Sequence, residues 1–469
     1  MPPRRKSEKT VAQKISDFVA RSTRENIPCE VRDIAKLHLL DGLATMLGGA
    51  KEPSSRILCR HYSRLRSKAE ATVIGTNVRV ATEQAALVNG VQAHVLDYDD
   101  AQLTTLAARP LGQQTHPTSP VLAAVLALAQ SRRATGAELL ASYIVGVEVA
   151  CRLGDAIDPS HYLDGFHPTG TLGTFGAAAA CAHLSRLTPT SIRHALGIAG
   201  TITAGLRANR GTMAKGLNAG RAAESGVIAA TLAAEGFSAS ENIFDDPMGF
   251  FAAACKNKVD RNLLRFGKPF FFANPGVGIK LYACAGVLHP ALDVALDLRQ
   301  SYAIAVEQID RVKVALDANA ALPLVYDRPK DALQAKFSVH FAVAAALVDG
   351  AAGLKQFSAE RIGNPKIRNL MKRVEFIRRP PRRGADNAGI DTNVEIAMKD
   401  GAVHRGHAEI ARGHPALPPS HAEIADKFRE CASGVLAAKQ IGRFLQQFDS
   451  LERAASIATW LQALCPARR

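Results

Sequence analysis

At 469 residues, with 47% hydrophobic and 22% charged positions, the chain has the composition of a folded protein of about two domains, not of a disordered one. Lys and Arg number 58 against 43 Asp and Glu, a formal charge of +15; this favours anionic partners, but no basic stripe interleaved with aromatics speaks for nucleic acid. The eight cysteines, at 29, 59, 151, 181, 255, 284, 431 and 465, contain no C-x-x-C, which argues against clustered zinc or iron–sulfur ligands and against a secreted disulfide scaffold.

The chain starts with "MPPRRKSEK", read as a frayed basic terminus. No apolar segment follows it, so a cytoplasmic protein without a signal peptide is expected. From residue 10 to about 270 nearly everything reads as helix. "VAQKISDFVA", "VRDIAKLHLLDGLATML", "TEQAALVNGVQAHVLD", "PVLAAVLALAQ" and "GAELLASYIVGVEVACRLGDAI" all carry apolar residues at three- and four-residue spacing. The uncharged run from Pro168 to Ser185 holds three glycines and His183 and reads as a buried helix, not a membrane span. Helices rich in Ala and Gly, such as "GTLGTFGAAAACAHL", allow close backbone approach and are expected at the centre.

After "FGKPFFFANPGVG" the texture changes. "IDRVKVAL" (309–316) and "RVEFIRR" (373–379) alternate like half-buried strands, and 393–413 has the pattern of a hairpin turning at Asp400-Gly401. "KFSVHFAVAAALVDG" (336–350) keeps helical spacing, and "RRPPRR" (378–383) reads as an exposed loop. From Ser420 onward the pattern is helical again. The expected fold is mainly α: a large all-helical domain from both chain ends (1–274 and 414–469) and a smaller α+β domain between them (275–413).

Candidate chemistry begins at "HVLDYDDAQLTTLAARPLGQQTHPTSP" (94–120). Asp97, Asp99 and Asp100 sit at the C-terminus of a helix read as 82–97, where the macrodipole disfavours negative charge. That placement asks for a use beyond helix stability, although a solvated helix end is the plain alternative. Asp97 and Asp100, three apart, are expected to share a face, with Asp99 pointing elsewhere. His-Pro-Thr occurs at 116–118 and again at 167–169, where His167 precedes a helix N-terminus suited to an anion. Lys215 lies among small residues in "RANRGTMAKGLNAG"; Lys280, Tyr282 and His289 fall within ten residues; Tyr326 and Arg328 precede a helix. Metal-protease, P-loop, nucleophile-elbow and dinucleotide fingerprints are absent. Acids, imidazoles and lysines in this mixture suit proton transfer next to a carboxylate.

Taken together, "HVLDYDD" with "HPTSPVLAA", "GFHPTGTLGTFGAAAA", "GTMAKGLNAGRAAESG", "GIKLYACAGVLHPALD", "YDRPKDALQAKFSVHF" and "VEIAMKDGAVHRGHAEIARGHPALPPSHAEIADKF" resemble the MmgE/PrpD family, in the family's order over roughly residues 10 to 460. The family includes 2-methylcitrate dehydratases and cis-aconitate decarboxylases. The resemblance implies a helical domain with an α+β lid, a homodimer, an active site between the domains and no metal or organic cofactor. It carries catalytic roles onto Asp97, His116, His167, Lys215, Lys280 and Tyr326. His116 or His167 is expected to move the proton and the two lysines to anchor carboxylates; Asp97 orients a histidine or accepts a proton. Asp100, Tyr282, His289 and Arg328 are assigned to substrate binding. Ala101 stands where the family commonly has Thr, and Ala285 where its decarboxylases have His; the excursion from Ala101 to Thr115 is also longer than theirs. The expected activity is a lyase, a hydro-lyase acting on a small di- or tricarboxylate, with no nucleic acid or membrane partner. Decarboxylation, epimerisation or an inactive helical scaffold are the alternatives. A terpenoid cyclase, which D-Y-D-D would also fit, calls for more aromatics than this chain's 6%.

Overall fold

The computed structural model describes residues 8–102, 115–318, 320–380 and 390–467. Most of the basic N-terminus, nearly all of the Ala101–Thr115 excursion and positions 381–383 of the "RRPPRR" loop lie outside the described residues. Arg378 and Arg379 themselves end a strand.

Helices form over the periodic apolar stretches, some of them behind a side-chain cap. The first, α1 (Val11–Arg21), opens on a Thr10/Gln13 capping box. It is followed by α2 (Cys29–Gly49), α3 (Thr82–Val95) and α4 (Thr118–Ser131). Next come α5 (Gly136–Ala156), which opens on a Thr135/Glu138 box, and α6 (Pro168–Leu184), with Pro168 at its first turn. Finally α7 (Pro189–Ile202) leads to α8 (Ala214–Ala234). The small residues act as expected: α8 packs between α3 and α6. A Cβ added at Gly220 would sit 2.5 Å from the Leu87 carbonyl oxygen, and one at Gly226 would sit 2.3 Å from the Ala177 Cβ. Any larger residue there would force the central helices apart.

Two departures from an all-helical first part are visible. A two-residue hairpin, β1 (Ala71–Thr72) with β2 (Arg79–Val80), interrupts it. After Ala234 the chain runs mostly in turns to 285, with a short helix at Phe250–Cys255 and a single 3-10 turn at Arg261–Leu263. Left-handed residues at Gly236, Lys256, Asn257 and Gly267 break the helical path there.

The sheet strands are β3 (Ile309–Asp317), β4 (Val374–Arg379), β5 (Thr392–Met398) and β6 (Val403–Ala408), in the order β4-β3-β5-β6. β3 and β4 run parallel and the other pairs antiparallel. The β5–β6 hairpin turns at Asp400-Gly401, where Gly401 supplies a φ of 93°. Helices α9 (His289–Ser301) and α10 (Val339–Asp349) cover the sheet. α10 starts at Val339, not 336, because Ser338 caps it by accepting from the Phe341 N–H. The chain then returns to the first helices through α11 (His421–Ala432), packed on α2, and α12 (Ala438–Phe448), whose Phe444 stacks on Phe428. The architecture is mainly α with a smaller α+β part. No helix among the described residues is long and apolar enough to cross a membrane.

Candidate active site

The D-Y-D-D segment does not continue α3. The helix ends at Val95, and Asp97 adopts a left-handed φ of 52°. This turn sends the three carboxylates in different directions, so Asp97 and Asp100 do not share a face. Asp97 meets two lysines from distant segments. Lys215 Nζ, at the start of α8, donates to Asp97 Oδ1 at 2.8 Å; Lys280 Nζ donates to the same oxygen at 3.2 Å and to the Asp97 carbonyl at 3.0 Å. Burial opposes the ionisation of Asp97. The two ammonium groups more than offset it and hold this carboxyl well below the usual range. Its Oδ2 has no hydrogen-bond partner among the described residues.

Asp99 turns inward. It accepts from His94 Nδ1 at 2.7 Å and from Ser119 Oγ at 2.6 Å, and His116 Nδ1 lies 3.5 Å away. Burial again opposes ionisation, but His94 and His116 outweigh it and Asp99 is held below the usual carboxylate range. His116 Nδ1 donates to the Asp100 carbonyl at 2.7 Å. This fixes the tautomer and leaves Nε2 as the lone-pair nitrogen of the neutral ring. Burial, against the pull of Asp99, lowers His116 to about 3, so it is neutral at ordinary pH. The His94 ring is 4.8 Å from that of His116 and 5.5 Å from that of His167, centroid to centroid. His167 stands at the N-cap position of α6 without a side-chain cap bond, and its Nδ1 is buried without a partner among the described residues. Burial first, then His94 and Lys215, push it well below an ordinary imidazole.

One pocket collects Asp97, His116, His167, Lys215 and Lys280. Its wall also carries Tyr162, Arg207, Arg210 and Phe337, together with Ala101 and Ala285, the two departures from the family pattern. Lys215 and Lys280 come from the helical part and the turn region before α9, while His116 and His167 open α4 and α6.

The other sequence candidates stand elsewhere. Tyr326 does not line the pocket; its hydroxyl donates to the Arg210 carbonyl at 3.2 Å, behind the arginine loop. Asp100 is fully buried beneath it, accepting from the Thr118 N–H at 3.2 Å and hydroxyl at 2.5 Å, with His38 Nδ1 at 3.0 Å. Tyr282 donates to Asp293 and accepts from Arg412 at 2.7 Å. His289 packs edge-on against Tyr282 with ring centroids 5.1 Å apart, and burial pushes it down to about 3. Arg328 is exposed and off the pocket wall. Asp100 and Tyr282 are thus engaged in internal hydrogen bonds, His289 is packed against Tyr282 with its Nε2 buried and unpartnered among the described residues, and Arg328 faces solvent.

His94, Arg207, Arg210 and Tyr162 escaped the sequence reading. His94 stands in the same "HVLDYDD" stretch, and the arginines in the same "RANRGTMAK" stretch, as residues that were singled out. As for metals, the ligand atoms of His94, Asp99 and His116 lie within 4.8 Å of one another. Within this group His94 and Ser119 donate to Asp99 and His116 donates to the Asp100 carbonyl, while His94 Nε2 and Asp99 Oδ1 have no hydrogen-bond partner among the described residues.

The chain is similar to known proteins along nearly its whole length. The MmgE/PrpD N-terminal domain matches residues 13–262 and the MmgE/PrpD C-terminal domain residues 282–452. The cis-aconitate decarboxylase of Homo sapiens is 27% identical over 448 residues, covering 92% of this chain and 90% of its own length. That of Aspergillus terreus is 26% identical over 482 residues, covering 98% and 96%. The cis-aconitate decarboxylase-like protein oryM of Aspergillus oryzae is 26% identical over 481 residues, covering 97% of each. With both halves matched in order across nearly the whole chain, this protein belongs to the MmgE/PrpD family.

Proposed function

We propose that the protein is a lyase that dehydrates a small di- or tricarboxylate, removing the proton next to a carboxylate. One observation carries this reading: a neutral histidine with a free Nε2, His116, shares a pocket with the Lys215–Asp97–Lys280 cluster. The ammonium groups hold a substrate carboxylate and spread the negative charge that develops as the adjacent C–H bond breaks. His116 Nε2 takes that proton, and Asp99, 3.5 Å from Nδ1, supports the imidazolium it becomes. The electron pair of the C–H bond forms the alkene as the β-hydroxyl departs. Lys215 gives that hydroxyl a proton, so the products are water and an unsaturated acid.

A second reading, decarboxylation, is favoured by the names of the relatives and uses the same pocket. There a C–C bond breaks, carbon dioxide leaves, and the carbanion collects a proton. A panel of citrate, 2-methylcitrate, tartrate and cis-aconitate, followed in heavy water by proton NMR with carbon dioxide capture, separates the two. Dehydration predicts alkene and water without carbon dioxide, and His116→Gln should lower kcat roughly 10²–10⁴-fold. Carbon dioxide release from cis-aconitate would transfer the assignment to decarboxylation. Turnover of none of these acids, or an undiminished His116→Gln variant, would sink both.

A further inference from the structure

The proton-transfer scheme uses only some of the charged residues of the pocket wall. Lys215 and Lys280 already share Asp97. Arg207 and Arg210 line the same pocket, and neither has a carboxylate partner among the described residues. Both are organised around Tyr162. Arg207 lies over its ring, 3.5 Å from guanidinium carbon to centroid, and donates to its carbonyl. Arg210 donates to the Tyr162 hydroxyl at 3.2 Å and to the Leu322 carbonyl at 3.3 Å. Arg207 Nε is buried with no acceptor among the described residues.

The loop that carries the pair is fixed in place. The His167 N–H donates to the Gly205 carbonyl at 3.0 Å, the Arg207 N–H to the Gly165 carbonyl at 2.9 Å, and Tyr326 to the Arg210 carbonyl. The arginines are thereby tied to the segment bearing His167. With both histidines neutral, the lining residues carry a surplus of three positive charges, two of them on this pair.

We propose that Arg207 and Arg210 form a second carboxylate subsite, separate from the lysine cluster, that grips a substrate carboxylate remote from the reacting carbon. Guanidinium forks suit this because they present paired N–H donors to a planar carboxylate. Tyr162 is their positioning residue. The subsite rests on the polycarboxylate reading of the pocket and adds which residues distinguish an acid with the extra carboxylate from one without it.

The test uses ligands that need no turnover: propane-1,2,3-tricarboxylate and butanoate, which keeps a single carboxylate, titrated calorimetrically into the full chain. Arg207→Gln and Arg210→Gln should each weaken the tricarboxylate roughly 10–100-fold, the loss of a charge-assisted hydrogen bond, and change butanoate less than about twofold. Lys215→Met, in contrast, should weaken both ligands. Arg210→Lys, which keeps the charge and loses the fork, serves where the glutamine variant fails to fold and should show a smaller loss of the same selective kind. Equal weakening of both ligands, no change in either, or a wild-type protein that binds neither would overturn the subsite. Selective binding without turnover of any acid would instead sink the lyase reading and leave the subsite standing.

Discussion

The chemistry of this pocket depends on one backbone angle. With Asp97 at a φ of 52° the chain leaves α3 sharply, so that Asp97 faces the lysines and Asp99 folds back on His94, five residues earlier. A sequence reading that extends the helix through Asp97 cannot place these groups, because the turn is made by a non-glycine residue in a conformation that spacing does not announce. The three acids and His116 were legible; the packing of His94 and His116 around Asp99 was not. That burial has a kinetic consequence. Burial lowers His116 to about 3, and the base is disabled only when protonated. The kcat/KM profile, once the substrate's own ionisation is allowed for, should therefore stay flat as pH falls through 6.5, where an ordinary histidine would titrate, down to about 5. A descending acid limb centred between pH 6 and 7 in a protein still folded by circular dichroism would contradict His116 as the free-enzyme base.

Among the elements, α11 has the least obvious part. Its Lys427 is buried, pairs with Asp41 of α2 at 2.5 Å, and donates to the carbonyls of Tyr98 at 2.6 Å and Lys280 at 2.7 Å. One side chain from the C-terminal segment thus staples together the two backbones that carry Asp97 and Lys280. Periodicity and the Ser420/Glu423 capping box make α11 itself readable. The staple is not, since its partners lie far away in sequence and no spacing connects them. The variant Lys427→Met leaves Asp41 buried without its cation, and should cost roughly 3–5 kcal/mol in urea unfolding at neutral pH. Adding Asp41→Asn removes the stranded charge and should restore most of that stability. If Lys427 positions the site, the double variant recovers the fold but keeps a kcat reduced tenfold or more with KM moved much less. Recovery of kcat together with stability would show Lys427 to be a stability element only.

Over the whole molecule, the helical core that surrounds the site also buries histidines. His116 and His289 are pushed down to about 3 and His161 to about 4, chiefly by burial, and His94 and His167 are lowered as well. The sign follows directly. Below pH 6.5 the unfolded chain binds a proton on each of these rings and the folded chain does not, so folding stability falls as pH falls. Some acids act the other way. Asp41 is raised to about 6 by burial, against the pull of Lys427, so its folded form takes up a proton before its unfolded form does and adds stability below that pH. Glu52, Glu148 and Glu224 are raised too, by burial. The histidines act first, because their unfolded forms begin to protonate above pH 6 and they outnumber Asp41. Urea-unfolding free energy should therefore decline from pH 7 to pH 5, each fully buried histidine contributing at most about 1.4 kcal/mol per pH unit. The variant His289→Phe, off the pocket wall, removes one such group and should shallow the slope by up to one proton's worth. A stability that is level or rising as pH falls from 7 to 5, in the wild type and equally in an Asp41→Asn variant, would mean that these rings are charged in the folded protein, and the neutral His116 on which the proton-transfer scheme depends would fall with them.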